Sequence, residues 1–200
     1  MASKSCLTIG KKFKVGVQMA EHYFSKKPQT ESSPKQWQTK LRGKSLTFTS
    51  DTNVFSKGRI DFGSRLLIES FVEPEAKGDL LDLGCGYGPI GLALAASFPD
   101  RHIIMADVNE RALHLAKKNA SDNHLSNVEI VESDRFSGLR NRTFAVVITN
   151  PPIRAGKRVV HDIFEGAKKA LVNRGELWVV IQKKQGAPSA HKKINELFGN

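Results

Sequence analysis

"DLLDLGCGYGPIGLALAASF", residues 79–98, decides the architecture of this chain. Its first six residues are apolar but for the two aspartates, as expected of a strand covered on both faces. Three glycines then fall within five residues, Gly84, Gly86 and Gly88, followed by a run of small and apolar residues long enough for a helix. Strand, glycine turn and helix in that order open a βαβ unit.

The same alternation continues downstream. "HIIMAD" (102–107) predicts a strand and "NERALHLAKKNASDN" (109–123) an amphipathic helix, with Leu113 and Ala116 on one face. "VEIVES" (128–133) and "TFAVVITN" (143–150) predict strands, "HDIFEGAKKALV" (161–172) a helix, "GELWVVIQ" (175–182) a strand and "SAHKKINELF" (189–198) a closing helix. Upstream, a helix is expected near 64–72 after the turn-rich link "DTNVFSKGRIDFG" (51–63). "QWQTKLRGKSLTFTS" (36–50) alternates apolar and polar residues around Arg42-Gly43-Lys44, which predicts a β-hairpin. The expected fold is α/β: an open, mostly parallel sheet with helices on both faces and an N-terminal hairpin. Residues 1–18 show no period and Met19 begins a more natural chain start, so 1–18 read as a disordered extension from an upstream start codon. Residues 19–200 read as one domain, with 19–63 forming hairpin and link and 64–200 the core.

Charge is the most informative bulk property. The chain carries a net +11, and residues 1–58 hold 11 Lys/Arg against 3 Asp/Glu. A basic face attracts polyanions and releases their counterions, which makes nucleic acid the first partner to consider. The alternative is a solvated, solubilising surface. Two cysteines, Cys6 and Cys85, without a CxxC, favour a reduced, cytoplasmic compartment and no disulfide framework. His22, His102, His114, His124, His161 and His191 are too scattered to predict a metal site. No apolar run approaches the roughly 20 residues of a membrane span, and no signal peptide is visible, so no membrane partner is expected.

In an open α/β sheet, ligands bind beyond the carboxyl ends of the strands. Gly86-Tyr87-Gly88-Pro89-Ile90-Gly91 fits G-x-G-x-x-G, and Asp107 lies 21 residues after Gly86, the textual fingerprint of a nicotinamide dinucleotide site. Asp82 turns the reading. It places a carboxylate beside the loop, repelling a pyrophosphate and favouring a cationic group such as an amino-acid ammonium. Asp107 suits ribose hydroxyls in either case. Asp134, in "VESDRF", is either a helix N-cap or a third strand-end acceptor, suited to an adenine amine. Together the three describe S-adenosylmethionine better than NAD.

A methyl donor would give purpose to "TNPPIRAGK" (149–157). An exocyclic amine on a nucleobase is a poor nucleophile, its lone pair being delocalised into the ring. The Asn150 side-chain carbonyl can accept from that amine, a backbone carbonyl at Pro151 or Pro152 can accept again, and the prolines stiffen the corner. A strand-ending loop is the plain alternative, since Asn-Pro commonly opens turns. Arg154, Lys157 and Arg158 follow on the same rim, placed either to contact phosphates or simply as a solvated loop and helix start. Lys183 and Lys184 face the same choice.

"LLDLGCGYGPIGLALA", "ADVNERAL", "SDRF" and "TNPPIRAGK", in this order and spacing, resemble the class I S-adenosylmethionine-dependent methyltransferases. With "EHYFSKKP" and "LTFTSDTNVFSKGRIDFGSRLLIE", residues 19–198 look like the small-domain type related to bacterial 16S ribosomal RNA guanine-N2 methyltransferases. The resemblance implies a Rossmann-like fold. It also implies a cofactor set of Asp82, Gly84, Cys85, Gly86, Gly88, Asp107, Val108, Asp134, Arg135 and Asn150, with Asp134 near the adenine. Asn150, Pro151, Pro152 and Ile153 would hold the target amine, with Phe55, Asp61 and Gly63 close to cofactor or target. The chain departs from the pattern twice. Ile153 stands where related amino-methyltransferases often carry an aromatic, and the two strands that normally follow the last helix are missing after "INELFGN", so the chain reads as truncated.

The leading expectation is an RNA N-methyltransferase acting on guanine N2 in small-subunit ribosomal RNA. Other readings are a protein or small-molecule methyltransferase, an NAD-dependent oxidoreductase, and a non-catalytic RNA-binding assembly factor.

Overall fold

The computed structural model of this chain describes residues 31–52, 54 and 58–199. The expected extension, the "EHYFSKKP" stretch and Phe55 lie outside the described residues. The hairpin is β1 (Lys35–Leu41) and β2 (Lys44–Ser50), antiparallel, with Trp37 opposite Phe48. Helix α1 (Phe62–Ser70) follows, and then β3 (Asp79–Leu83), α2 (Pro89–Ser97), β4 (Ile103–Asp107), α3 (Glu110–Asp122), β5 (Val128–Glu132), β6 (Phe144–Thr149), α4 (Lys157–Ala170), β7 (Leu171–Val179) and α5 (Ala187–Phe198). The five strands from β3 onward form one sheet in the order β5-β4-β3-β6-β7, every neighbouring pair parallel. The chain winds outward from β3 to β5, then returns to β6 on the other side of β3. That reversal opens a crevice at the carboxyl end of β3, the place where such sheets bind ligands.

Residues alternate across the sheet with a period of two. Leu80, Ile103, Met105, Val146 and Ile148 face the layer made by the hairpin, α1, α2 and α3. Leu81, Leu83, Ile104, Ala106, Phe144 and Val147 face α4 and α5. Helices therefore cover both faces, as the apolar strands require.

The starts of α4 and β7 fall well before their expected places. α4 begins at Lys157 rather than at 161, because Gly156 (φ 100°) turns the chain straight out of a 3-10 turn at Ile153–Ala155 into the helix. β7 begins at Leu171 rather than at 175: Leu171 pairs with Phe144 and Glu176 with Val146, so Asn173-Arg174-Gly175 bulge out of the ladder. "NRG" reads as a turn in sequence, and here that turn interrupts a strand.

The hairpin docks through an unusual joint. Asn119 on α3 and Asn123 at its C-cap, one turn apart, pair with the β2 backbone as a neighbouring strand would. Asn119 accepts from Thr49 N at 2.7 Å and donates to Thr49 O at 2.9 Å. Asn123 accepts from Thr47 N at 2.8 Å and donates to Thr47 O at 2.7 Å. Among the described residues no helix is long and apolar enough to cross a membrane.

Candidate active site

The glycine loop between β3 and α2 is pinned from below and open above. Gly84 and Cys85 both donate to Ala106 O, at 2.8 and 3.0 Å, tying the loop to β4. Gly84 (φ 76°) and Gly86 (φ 57°) hold left-handed conformations that favour glycine, and a Cβ at either would meet nothing within 4 Å. A ligand can therefore approach the backbone closely there.

Asp82 lies beneath this loop rather than beside it. Strand alternation puts it on the Leu80 face of β3, where it is buried, and its Oδ2 accepts from Gly91 N in the first turn of α2 at 2.8 Å. Its Oδ1 is buried without a partner. Burial, reinforced by the nearby Asp107 charge, raises its pKa to about 7 against the single backbone hydrogen bond that lowers it. An orphaned carboxylate oxygen beneath an open glycine loop fits the ammonium of an amino-acid-bearing cofactor.

Asp107 closes β4 and clamps the loop: Oδ2 accepts from Gly86 N at 2.8 Å and Oδ1 from Asn109 N at 2.9 Å. Burial raises its pKa, opposed by hydrogen bonds from Asn109, Gly86 and Val108. With three backbone donors on the carboxylate, one acceptor position remains, suited to a ribose hydroxyl. The Cys85 thiol is pushed well up by burial and the two aspartates, so it stays a neutral part of the loop. Asp134 is exposed and does not cap the turn that follows; Ser133 Oγ takes that place, accepting from Gly138 N at 3.0 Å. The Asp134 carboxylate instead pairs with Arg135, whose guanidinium also reaches Asp162 at 2.7 Å.

The asparagine corner stands at the end of β6. Asn150 Nδ2 donates to Asp61 Oδ1 at 3.0 Å and to Ser64 Oγ at 3.1 Å. A carboxylate only accepts, so Asp61 dictates which end of the amide faces it. The Asn150 carbonyl is thereby turned away and accepts from no donor among the described residues. Asp61 is itself fixed as the N-cap of α1, accepting from Ser64 N at 3.1 Å. Gly63 packs closely: a Cβ there would sit 3.2 Å from both Asp61 Oδ1 and Val180 Cγ1, pressing on the carboxylate that holds Asn150. Pro152 (φ −73°, ψ 79°) forms an inverse γ-turn in which Ile153 N donates to Pro151 O at 2.8 Å. Pro152 O accepts from Ala155 N at 2.9 Å, so each prolyl carbonyl has one lone pair remaining. Ile153 packs inward on the α4 side of the core.

Arg154, Lys157 and Arg158 are all exposed on the rim beside this corner. Lys157 and Arg158 occupy the first turn of α4, where the helix dipole disfavours cations. Their presence there is not explained by helix stability. Lys183 and Lys184 lie in the 3-10 turn after β7.

A family model described as "Methyltransferase small domain" matches residues 45–200. The chain belongs to that family. An uncharacterized protein, YbxB of Bacillus subtilis, is 60% identical over 181 residues, spanning 90% of each chain. The ribosomal RNA small subunit methyltransferase C of Haemophilus influenzae is 38% identical over 139 residues, 68% of this chain and 41% of that one. The Thermus thermophilus 16S rRNA N2 G1207 methyltransferase, solved with AdoMet and guanosine, superposes with a TM-score of 0.74 at 26% identity, over 86% of this chain and 47% of that one. The chain thus spans under half the length of these two ribosomal RNA methyltransferases.

Within this methyltransferase domain, Asp82, Asp107, the loop glycines and Asn150 gather at the carboxyl ends of β3, β4 and β6, while Asp134 and Arg135 stand farther out after β5. Sequence reasoning missed Ser64. The signal for it was the Asp61-Phe62-Gly63-Ser64 capping pattern at the start of α1.

Proposed function

We propose that this domain transfers a methyl group from S-adenosylmethionine to an exocyclic amine of a nucleobase, guanine N2 in small-subunit ribosomal RNA. One observation carries the reading: the Asn150 amide is held by Asp61 and Ser64 with its carbonyl turned outward. A donor pair would suit a base carbonyl; a fixed acceptor suits an amine. When bound, the cofactor supplies an electrophilic methyl carried on a sulfonium.

The remaining work falls to the chain. Asp82 Oδ1 would hold the ammonium, Asp107 the ribose, and the open backbone at Gly84 and Gly86 would admit the ligand closely. Asn150 Oδ1 accepts one N–H of the target amine, and a prolyl carbonyl at 151 or 152 accepts the other. These acceptors favour a pyramidal nitrogen whose lone pair faces the methyl carbon, so the gain is positional. The amine becomes acidic once methylated and releases its proton to water, so no buried base is required. Arg154, Lys157 and Arg158 contact phosphates beside the target, and the net +11 of the chain favours a polyanion. The two ribosomal RNA methyltransferases above support the choice of substrate, and guanine N2 rests on the Thermus relative alone.

The test is incubation of the purified chain with S-adenosylmethionine and unmodified 16S ribosomal RNA or small subunits, followed by nucleoside mass spectrometry. N2-methylguanosine is expected from the native chain and not from Asn150→Ala, which keeps its cofactor affinity, whereas Asp107→Ala loses that affinity. Equal loss of cofactor by both variants would refute this division of labour.

A further inference from the structure

We infer that Tyr87 is a positioning residue for the transfer step, its hydroxyl carrying the placement of the glycine loop to the asparagine corner. This rests on the methyltransferase reading above. Tyr87 lies in the loop between Gly86, clamped to Asp107, and Gly88, the N-cap of α2. It is only 2% exposed and held at both ends. Its carbonyl accepts from Asn119 Nδ2 at 2.9 Å. Its ring meets Trp37 and Phe48 of the hairpin edge-on, with centroids 6.4 and 5.9 Å away. So fixed, its hydroxyl donates to Arg59 O at 3.1 Å.

Arg59 stands two residues before Asp61, the group that orients Asn150. One short segment, 59–64, therefore touches the cofactor loop at its beginning and the target corner at its end. Asp61 lies near enough that its charge adds to burial in raising the phenol's pKa, which keeps the hydroxyl a neutral donor. Transfer demands alignment between a methyl held by the loop and an amine held by Asn150. Displacement on the order of 1 Å is costly in such geometry. A buried tyrosine usually finds some hydrogen-bond partner; what distinguishes Tyr87 is that its partner leads directly to the residue that aims the target.

Tyr87→Phe keeps the ring and its packing while removing the bond. In the full chain, its cofactor Kd by calorimetry is expected to stay within about twofold of the native value. At saturating cofactor and RNA, kcat should fall roughly three- to tenfold, the scale of one hydrogen bond. Because Tyr87 acts through Asp61, the Tyr87→Phe/Asp61→Asn double variant should be no slower than Asp61→Asn alone. A fully multiplicative loss would overturn the inference, as would an unchanged kcat with only a lowered Tm. Failure of the native chain to bind cofactor or methylate RNA would overturn it together with the reading beneath it, and shows before any substitution is made.

Discussion

The Asp61 carboxylate holds the Asn150 amide nitrogen at 3.0 Å across 89 residues of chain, and so determines which atom of Asn150 a substrate meets. Asp61→Asn removes that dictate while keeping a good helix cap. The paired amides can then adopt either orientation. Transfer at saturating cofactor should fall about tenfold, with the cofactor Kd nearly unchanged and Tm within a few degrees. A parallel loss of cofactor affinity would show that Asp61 serves the cofactor rather than the target.

Asp82 makes both stability and binding depend on pH. Its folded pKa, about 7, exceeds the ordinary carboxylate value, so the folded state binds more protons than the unfolded state between roughly pH 4 and 7. Its contribution to stability is fully present below the ordinary value and declines as pH rises through 7. Asp82→Asn should flatten that decline and raise Tm at pH 8, while weakening S-adenosylmethionine binding through the lost charge. In the native chain at pH 6, cofactor binding should release a proton, read by calorimetry in buffers of different ionisation enthalpy. A binding enthalpy independent of buffer would contradict this role.

The succession of strands and helices, the glycine loop and the asparagine corner were legible because each is local: apolar runs, clustered glycines and Asn-Pro declare themselves within ten residues. Asp82 read as lying beside the loop; docking of α2 and α3 on the Leu80 face is what buries it. What the sequence concealed was long-range and polar. Ser64 reaches Asn150 across 86 residues, Tyr87 reaches Arg59 across 28, and Asn119 reaches Thr49 across 70. None leaves a periodic trace, because long-range side-chain hydrogen bonds follow from how layers dock. Asp61 entered the reading only through resemblance, and its role became physical once its hydrogen bonds were seen.

Lys157 and Arg158 sit against the helix dipole, and a functional charge there has a measurable signature. Replacing both with glutamine should weaken RNA binding at low salt. If each neutralises one phosphate of a single strand, the slope of log K against log salt should become shallower by about 1.4. Helix α4 should be no less stable, since the substitutions remove unfavourable charges. An unchanged salt slope would place the RNA on another face.

The asparagine joint yields a paired comparison on stability. Asn119 is fully buried, and its truncation leaves Thr49 N, Thr49 O and Tyr87 O without partners in a site water does not reach. Asn119→Ala should therefore cost about 3 kcal/mol. Asn123 pairs with Thr47 in the same pattern but is half-buried and clear of the loop, so water can replace it and Asn123→Ala should cost about 1 kcal/mol. Only Asn119→Ala should also weaken cofactor binding, because only Asn119 holds the loop carbonyl. Urea unfolding with parallel calorimetric titration measures both quantities. If Asn123→Ala proved the costlier, the hairpin would be held mainly at its outer end and the buried joint would be incidental to the site.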